Sequence, residues 1–296
     1  MIPKTRALAL AEAFLVTFLW STSYVLVKMG LREMNPLAFA TYRYVIASII
    51  LILPVFHWRG AHMISLDLRR FLVLLLLGFT GYFLAQGLQF FGLYYLPAVT
   101  VTFILDLTPI FVLFLGIVFL KETPSISQFI GIAISLAGLF IFFANSALAF
   151  NEIIGVILTF ISGIAWATYM TVTRYHLREK NEDVVSLTAY SMAFGSIMLL
   201  GATILTGNTV QVSFDNWIII LYLSIVNTAL AFALWNHALK TLRAYEQSIL
   251  QNTMLIQIAL LAHVFLNEAL TTFKISGIIM VFVGVLIVQL RSNAKG

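Results

Sequence analysis

Apolar residues in this chain neither alternate nor keep to one face. They run on for about 20 positions, give way to a few polar ones, and resume. A run of that length is what an α-helix needs to cross the ~30 Å hydrocarbon of a bilayer. The pattern predicts ten spans, over 9–28, 36–56, 70–93, 97–119, 126–144, 152–173, 184–205, 216–238, 245–265 and 272–290. A transmembrane β-barrel would show alternating segments of about ten residues instead. The fold class read from the pattern is an all-α integral membrane protein with ten transmembrane helices.

The pattern also repeats. Residues 96–142 align without a gap on the segment beginning at Leu242, so that Leu96 meets Leu242, Glu122 meets Glu268, and Gly131 and Gly138 meet Gly277 and Gly284. The register holds upstream, where Trp20 falls on Trp166, Lys28 on Arg174, Arg32 on Arg178 and Tyr44 on Tyr190. Two units are expected, 1–148 and 149–296, with five spans each, together forming one transport domain.

Composition agrees with a bilayer as solvent. With 61% hydrophobic and 10% charged residues, the chain has too little polar surface to cover a water-soluble globule. The absence of cysteine excludes disulfides and thiolate metal sites. A basic excess of +5 could suggest a nucleic-acid partner, but the positions of the charges explain it better. If the amino terminus is cytoplasmic, the outer loops and their flanks hold only Lys28, Arg32 and Lys274, while Arg43 lies inside a span and the other Lys and Arg fall on the inner side. The positive-inside rule then sets both termini in the cytoplasm. Lys4 and Arg6 ahead of an apolar run resemble a signal peptide, yet that run is long, carries Trp20 and has a counterpart in the second half, so a retained helix is expected. An odd number of spans per unit turns the second unit upside down relative to the first. Inverted five-helix repeats suit secondary transporters, in which two related half-sites open alternately to opposite faces.

Several motifs resemble one family. Trp20-Ser-Thr-Ser-Tyr24-Val-Leu-Val-Lys28, Asn35-Pro36 followed by Tyr42-Arg43-Tyr44, Pro109 with Glu122, the Gly131/Gly138 pair, and Trp166-Ala-Thr-Tyr169 with Arg174 are similar to the signatures of the EamA-type drug/metabolite transporter superfamily. Ser21 departs from the glycine the family favours, and Asp106 is no part of its general pattern. The resemblance implies a ten-helix permease exporting amino acids, other metabolites or drugs. Its cavity would be lined by spans 1–4 and 6–9, with spans 5 and 10 outside, in the plasma membrane of a prokaryote. It implies no cofactor.

Candidate chemistry follows from polar residues inside the spans. Asp106, near the centre of the fourth span, is expensive in hydrocarbon and must face the bundle interior. Burial disfavours the charged form, so Asp106 is a candidate proton carrier and substrate ligand; the competing reading is a helix-to-helix bond with Asn252, its repeat mate. Thr102, Asp106 and Pro109 are spaced to share a face, and Pro109 should free a carbonyl one turn earlier for a solute. Trp20 and Tyr24, Tyr82 with Gln86 and Gln89, Trp166 and Tyr169, and Gln247 and Gln251 form further stripes at helical spacing. Amides and aromatic rings together could hold an amphipathic solute such as a bulky amino acid, although membrane aromatics also serve as packing or interface residues. Trp235, Asn236 and His237 are read as an interface belt, and His263 as a packing histidine. Arg43 is read as structural, snorkelling outward or paired with a carboxylate, in preference to neutralising a substrate carboxylate. Glu246 is read as a helix cap, and Glu122 and Glu268 as caps of the helices that follow them or as partners of neighbouring basic groups, ahead of a gating role. No metal cluster, phosphate loop or nucleophile motif is present, so a carrier of unmodified small molecules is favoured over an enzyme or channel, with a proton-coupled multidrug or organic-cation exporter as the alternative. The expected partners are a small-molecule substrate and lipid, with the protein a monomer or homodimer.

Overall fold

The computed structural model describes residues 4–59, 67–120, 125–144, 149–178, 180–208, 212–242 and 244–290. Among the described residues, ten helical spans occupy the predicted runs: α1 (Lys4–Gly30), α2 (Pro36–Arg59), α3 (Leu68–Tyr95), α4 (Ala98–Leu105 and Thr108–Leu120), α5 (Ile126–Phe143), α6 (Phe150–Arg178), α7 (Val184–Leu205), α8 (Phe214–Thr241), α9 (Ala244–Leu266) and α10 (Thr272–Leu290). Eight are long and apolar enough to cross a membrane, and the apolar stretches of the last two, Leu250–Leu266 and Thr272–Ile287, are shorter. Polar caps begin several of these helices. Asp67, Asp183 and Ser213 accept from the backbone N–H of Arg70, Ser186 and Asn216, and Ser125 with Gln128 forms a capping box, because an orphan N–H in hydrocarbon is costly.

The inversion of the halves is visible where α5 meets α10. A Cβ on Gly277 would stand 2.8 Å from the Gly138 carbonyl oxygen, and one on Gly284 only 2.5 Å from that of Gly131. Exchanging the repeats turns the contact between 131 and 284 into the contact between 277 and 138, which is the pairing observed. Helices that map onto themselves in this way run antiparallel about a two-fold axis; repeats of the same orientation would set 131 beside 277. Only glycine permits so close an approach. These two helices pack chiefly on each other, with α10 also touching α4 and α9. The other eight pair about the same axis: α2 with α7, α4 with α9, α1 with α8, and its equivalent α6 with α3.

Two departures from regular helix shape the interior. The fourth span is predicted unbroken over 97–119, but its helix stops at Leu105, turns through Asp106 and Leu107, and restarts at Thr108. The restart puts Pro109 in a first turn, where its missing N–H costs nothing. The expectation of a free carbonyl is corrected here: the Leu105 oxygen accepts from Thr108 Oγ1 at 2.5 Å. The second departure is π-helical winding in α3 at Gly78–Gln86 and in α8 at Ile225–Leu230, equivalent positions of the two repeats. Each π segment turns a carbonyl to the first helix of the opposite half. Asn227 O accepts from Trp20 Nε1 at 3.0 Å, and Ala85 O from Ser162 Oγ at 2.6 Å.

Candidate functional site

A cavity of about 40 Å³ lies between the middle of the bundle and the face that holds Lys28. Six helices line it: α1 with Trp20, Ser23 and Tyr24, α2 with Arg43, α3 with Gln86 and Gln89, α4 with Leu105, α6 with Ser162 and Trp166, and α9 with Gln251 and Met254. Spans 7 and 8, expected among the lining helices, contribute none of these residues. Small-molecule sites usually measure about 300–1,000 Å³, so this volume suits a few waters and the protein is closed around the site.

Several polar wall groups are held by a neighbour. Trp166 Nε1 donates to Gln251 Oε1 at 3.0 Å, and Tyr44 OH donates to Gln86 Oε1 at 2.8 Å. Trp20 stands edge-on to Trp166, with ring centres 5.7 Å apart, so an indole from each repeat meets at the two-fold axis. Five predicted residues therefore sit in the cavity wall: Trp20, Tyr24, Gln86, Trp166 and Gln251.

The other five do not. Tyr82 and Tyr169 are fully buried on the side of the cavity away from Lys28, where their hydroxyls bond each other at 2.9 Å. Asn236 Nδ2 donates to Tyr169 OH at 2.8 Å and to Thr188 Oγ1 at 2.9 Å. Gln247 Nε2 donates to the Trp235 carbonyl at 2.8 Å. With Trp235 packed 4.9 Å from Trp20, these residues form a solid floor. Trp235 and Asn236 are buried in that floor, which corrects the interface-belt reading; His237 is exposed and bonds Glu12 at 2.7 Å. Asp106 and Asn252 are both buried, yet among the described residues no hydrogen bond joins them and Asp106 has no side-chain partner. Asp106 adjoins the wall residue Leu105 and lies within electrostatic reach of Tyr24.

Arg43 departs most from expectation. It is 3% exposed, so it does not snorkel, and among the described residues it pairs with no carboxylate. Nε donates to Thr228 Oγ1 at 2.6 Å, Nη1 to Ser23 Oγ at 2.8 Å and Nη2 to Asn227 O at 3.2 Å. Its guanidinium also lies over the Tyr44 and Phe90 rings, at 5.5 and 5.7 Å. Its motif pointed to it, but the sequence gives no sign that its partners would be neutral.

The Lys28 face is tied shut across the repeats. Glu268 Oε1 accepts from Ala98 N at 2.7 Å and Oε2 from Val99 N at 3.1 Å, so this carboxylate caps α4 and not the helix that follows it. His263 is exposed rather than packed, with Nδ1 3.2 Å from the Glu268 carbonyl oxygen. Glu122 lies outside the described residues, as does the side chain of Glu246.

A model of the EamA-like transporter family matches residues 7–144 and again 153–290. The chain belongs to the EamA-like transporter family. Two EamA copies cover both halves of the inverted pair, so this is a multi-pass membrane transporter and not an enzyme. An uncharacterized transporter of Archaeoglobus fulgidus is 28% identical over 94% of this chain and 96% of its own length. A protein of Salmonella typhimurium called "Probable amino-acid metabolite efflux pump" is 24% identical over 93% of this chain and 92% of its own. A solved crystal structure, 16% identical, shares the fold with a TM-score of 0.70 over 97% of this chain and 99% of that one.

Proposed function

We propose that this EamA protein is a secondary transporter that exports small metabolites, amino acids foremost, by alternating access through the central cavity. The observation that carries this reading is the meeting of Trp20 and Trp166 at the two-fold axis, beside a cavity walled by indoles and amides from both halves. A site beside such an axis can be offered to either face by similar movements of the two halves. In this reading the units 1–148 and 149–296 act as one transport domain in a prokaryotic plasma membrane, with both termini cytoplasmic and the Lys28 face outward. The amino-acid class draws on the name of the Salmonella relative and on the mixed apolar and amide lining. Trp20 and Trp166 pack the apolar part of the solute, Gln86 and Gln251 hold its polar groups, and the buried carboxylate of Asp106 moves the coupling proton. Tyr82, Tyr169 and Gln247 join the site only when the floor opens, and the buried Asn252 only when the wall rearranges.

The test is counterflow in proteoliposomes. Vesicles loaded with an unlabelled amino acid should accumulate the labelled one transiently and saturably. A non-saturable flux without counterflow would identify a pore, and no flux across the amino-acid panel would remove the substrate class.

A further inference from the structure

We propose that Arg43 is the anion subsite of the cavity and that the transported molecule carries a carboxylate, which the guanidinium binds through two parallel hydrogen bonds. This rests on the cavity being the transport site and adds the chemical group that is recognised. An arginine has five N–H donors. Among the described residues three are occupied in the closed protein, by Thr228, Ser23 and Asn227, which leaves two, one on each terminal nitrogen. Two donors in a planar fork match the two oxygens of a carboxylate.

Charge points the same way. Ionisable residues inside membranes are normally paired with one another, because an isolated charge in a low dielectric is costly. Described carboxylates on the Lys28 side are committed elsewhere: Glu268 to the start of α4, and Glu33 to Ser213 and Asn216. Asp106 interacts with Tyr24, as Arg43 does, but forms no pair with Arg43. The guanidinium thus stands in a cavity wall with no carboxylate partner among the described residues, held in place by three neutral acceptors and two aromatic rings. A purely structural arginine would gain nothing from facing the cavity with a third to a half of its donors unused. The second repeat has Ala189 at the equivalent position, so one anion subsite exists per molecule and the substrate binds in one orientation.

Three probes that share a phenyl ring separate the possibilities: L-phenylalanine, 3-phenylpropionate, which lacks the ammonium, and phenethylamine, which lacks the carboxylate. Binding to the full-length protein in nanodiscs is read from the tryptophan emission of the cavity. Both carboxylates should bind the wild type more tightly than phenethylamine does. R43Q should weaken both by about tenfold to a hundredfold, the range expected for loss of a charge-assisted pair, and leave phenethylamine unchanged. R43K, which keeps the charge but not the fork, should fall between. Phenethylamine binding as well as the carboxylates, or no carboxylate binding, overturns the proposal on the wild type alone, even if R43Q does not fold. Carboxylate binding without flux of any amino acid would instead refute the transport reading and leave the subsite standing.

Discussion

Lys28 and Arg174 perform one task at opposite faces of the bundle. Lys28 Nζ donates to the carbonyls of Leu93 at 2.6 Å and Leu96 at 2.5 Å, closing the end of α3. Arg174 Nη1 donates to those of Leu239, at 3.4 Å, and Leu242, closing the end of α8. Every member of the first set is the repeat mate of the corresponding member of the second. In each half, a cation on the first helix satisfies carbonyls that a helix terminus leaves over. K28A and R174A should each cost about 1–3 kcal/mol, the penalty for orphaned buried acceptors. Thermal unfolding in detergent, followed by size-exclusion chromatography, measures it, and a stable K28A protein would contradict the assignment.

The glycine seam of α5 and α10 predicts a contrast between two substitutions of the same kind. In G277A the new methyl meets the Gly138 carbonyl at 2.8 Å, so the helices must part, at about 1–3 kcal/mol. In G201A the methyl meets nothing within 4 Å, and the helix gains about 0.5–1 kcal/mol. Melting temperatures shifted in opposite directions are expected.

Removing the charge of Glu268 should loosen the Lys28 face. E268Q weakens the cap on α4 by about 0.5–2 kcal/mol. Because the native chain has no cysteine, a single thiol placed by Q89C reports directly on cavity access. Maleimide labelling of Q89C should be faster with E268Q than without it. Equal rates would show that this contact does not close the site.

Asp106 provides the coupling test. D106N keeps the shape of the side chain and removes its proton. Flux driven by a pH gradient should vanish while exchange of labelled for unlabelled substrate continues. Undiminished pH-driven flux would assign the proton to another group.

Opposite orientation of the halves has a direct readout. R32C lies in the turn after α1 and K180C in the equivalent turn after α6. An impermeant maleimide applied to intact cells should label R32C and spare K180C, which becomes reactive only in opened cells.

The ten spans and their inversion could be read from the sequence because run length and internal repetition survive folding. The division between cavity and floor could not. Tyr82 and Gln86 are four residues apart and share a face of an ideal α-helix, yet one lies in the floor and the other in the wall. The π winding of Gly78–Gln86 carries more residues per turn, so a face counted at 3.6 residues per turn is lost there. The break after Leu105 likewise undoes the shared face of Thr102, Asp106 and Pro109. Arg43 was visible as an intramembrane charge, but its neutral partners come from α1 and α8, distant in sequence.

The wound segments of α3 and α8 have a mechanical consequence. Each stores surplus chain within an otherwise regular rod, and passing a single residue across the wrinkle would swivel everything beyond it by about 100°. With one such swivel in each half, at matching heights and pointing opposite ways, residues now sealed in the floor could trade places with those of the wall while every backbone amide stays bonded.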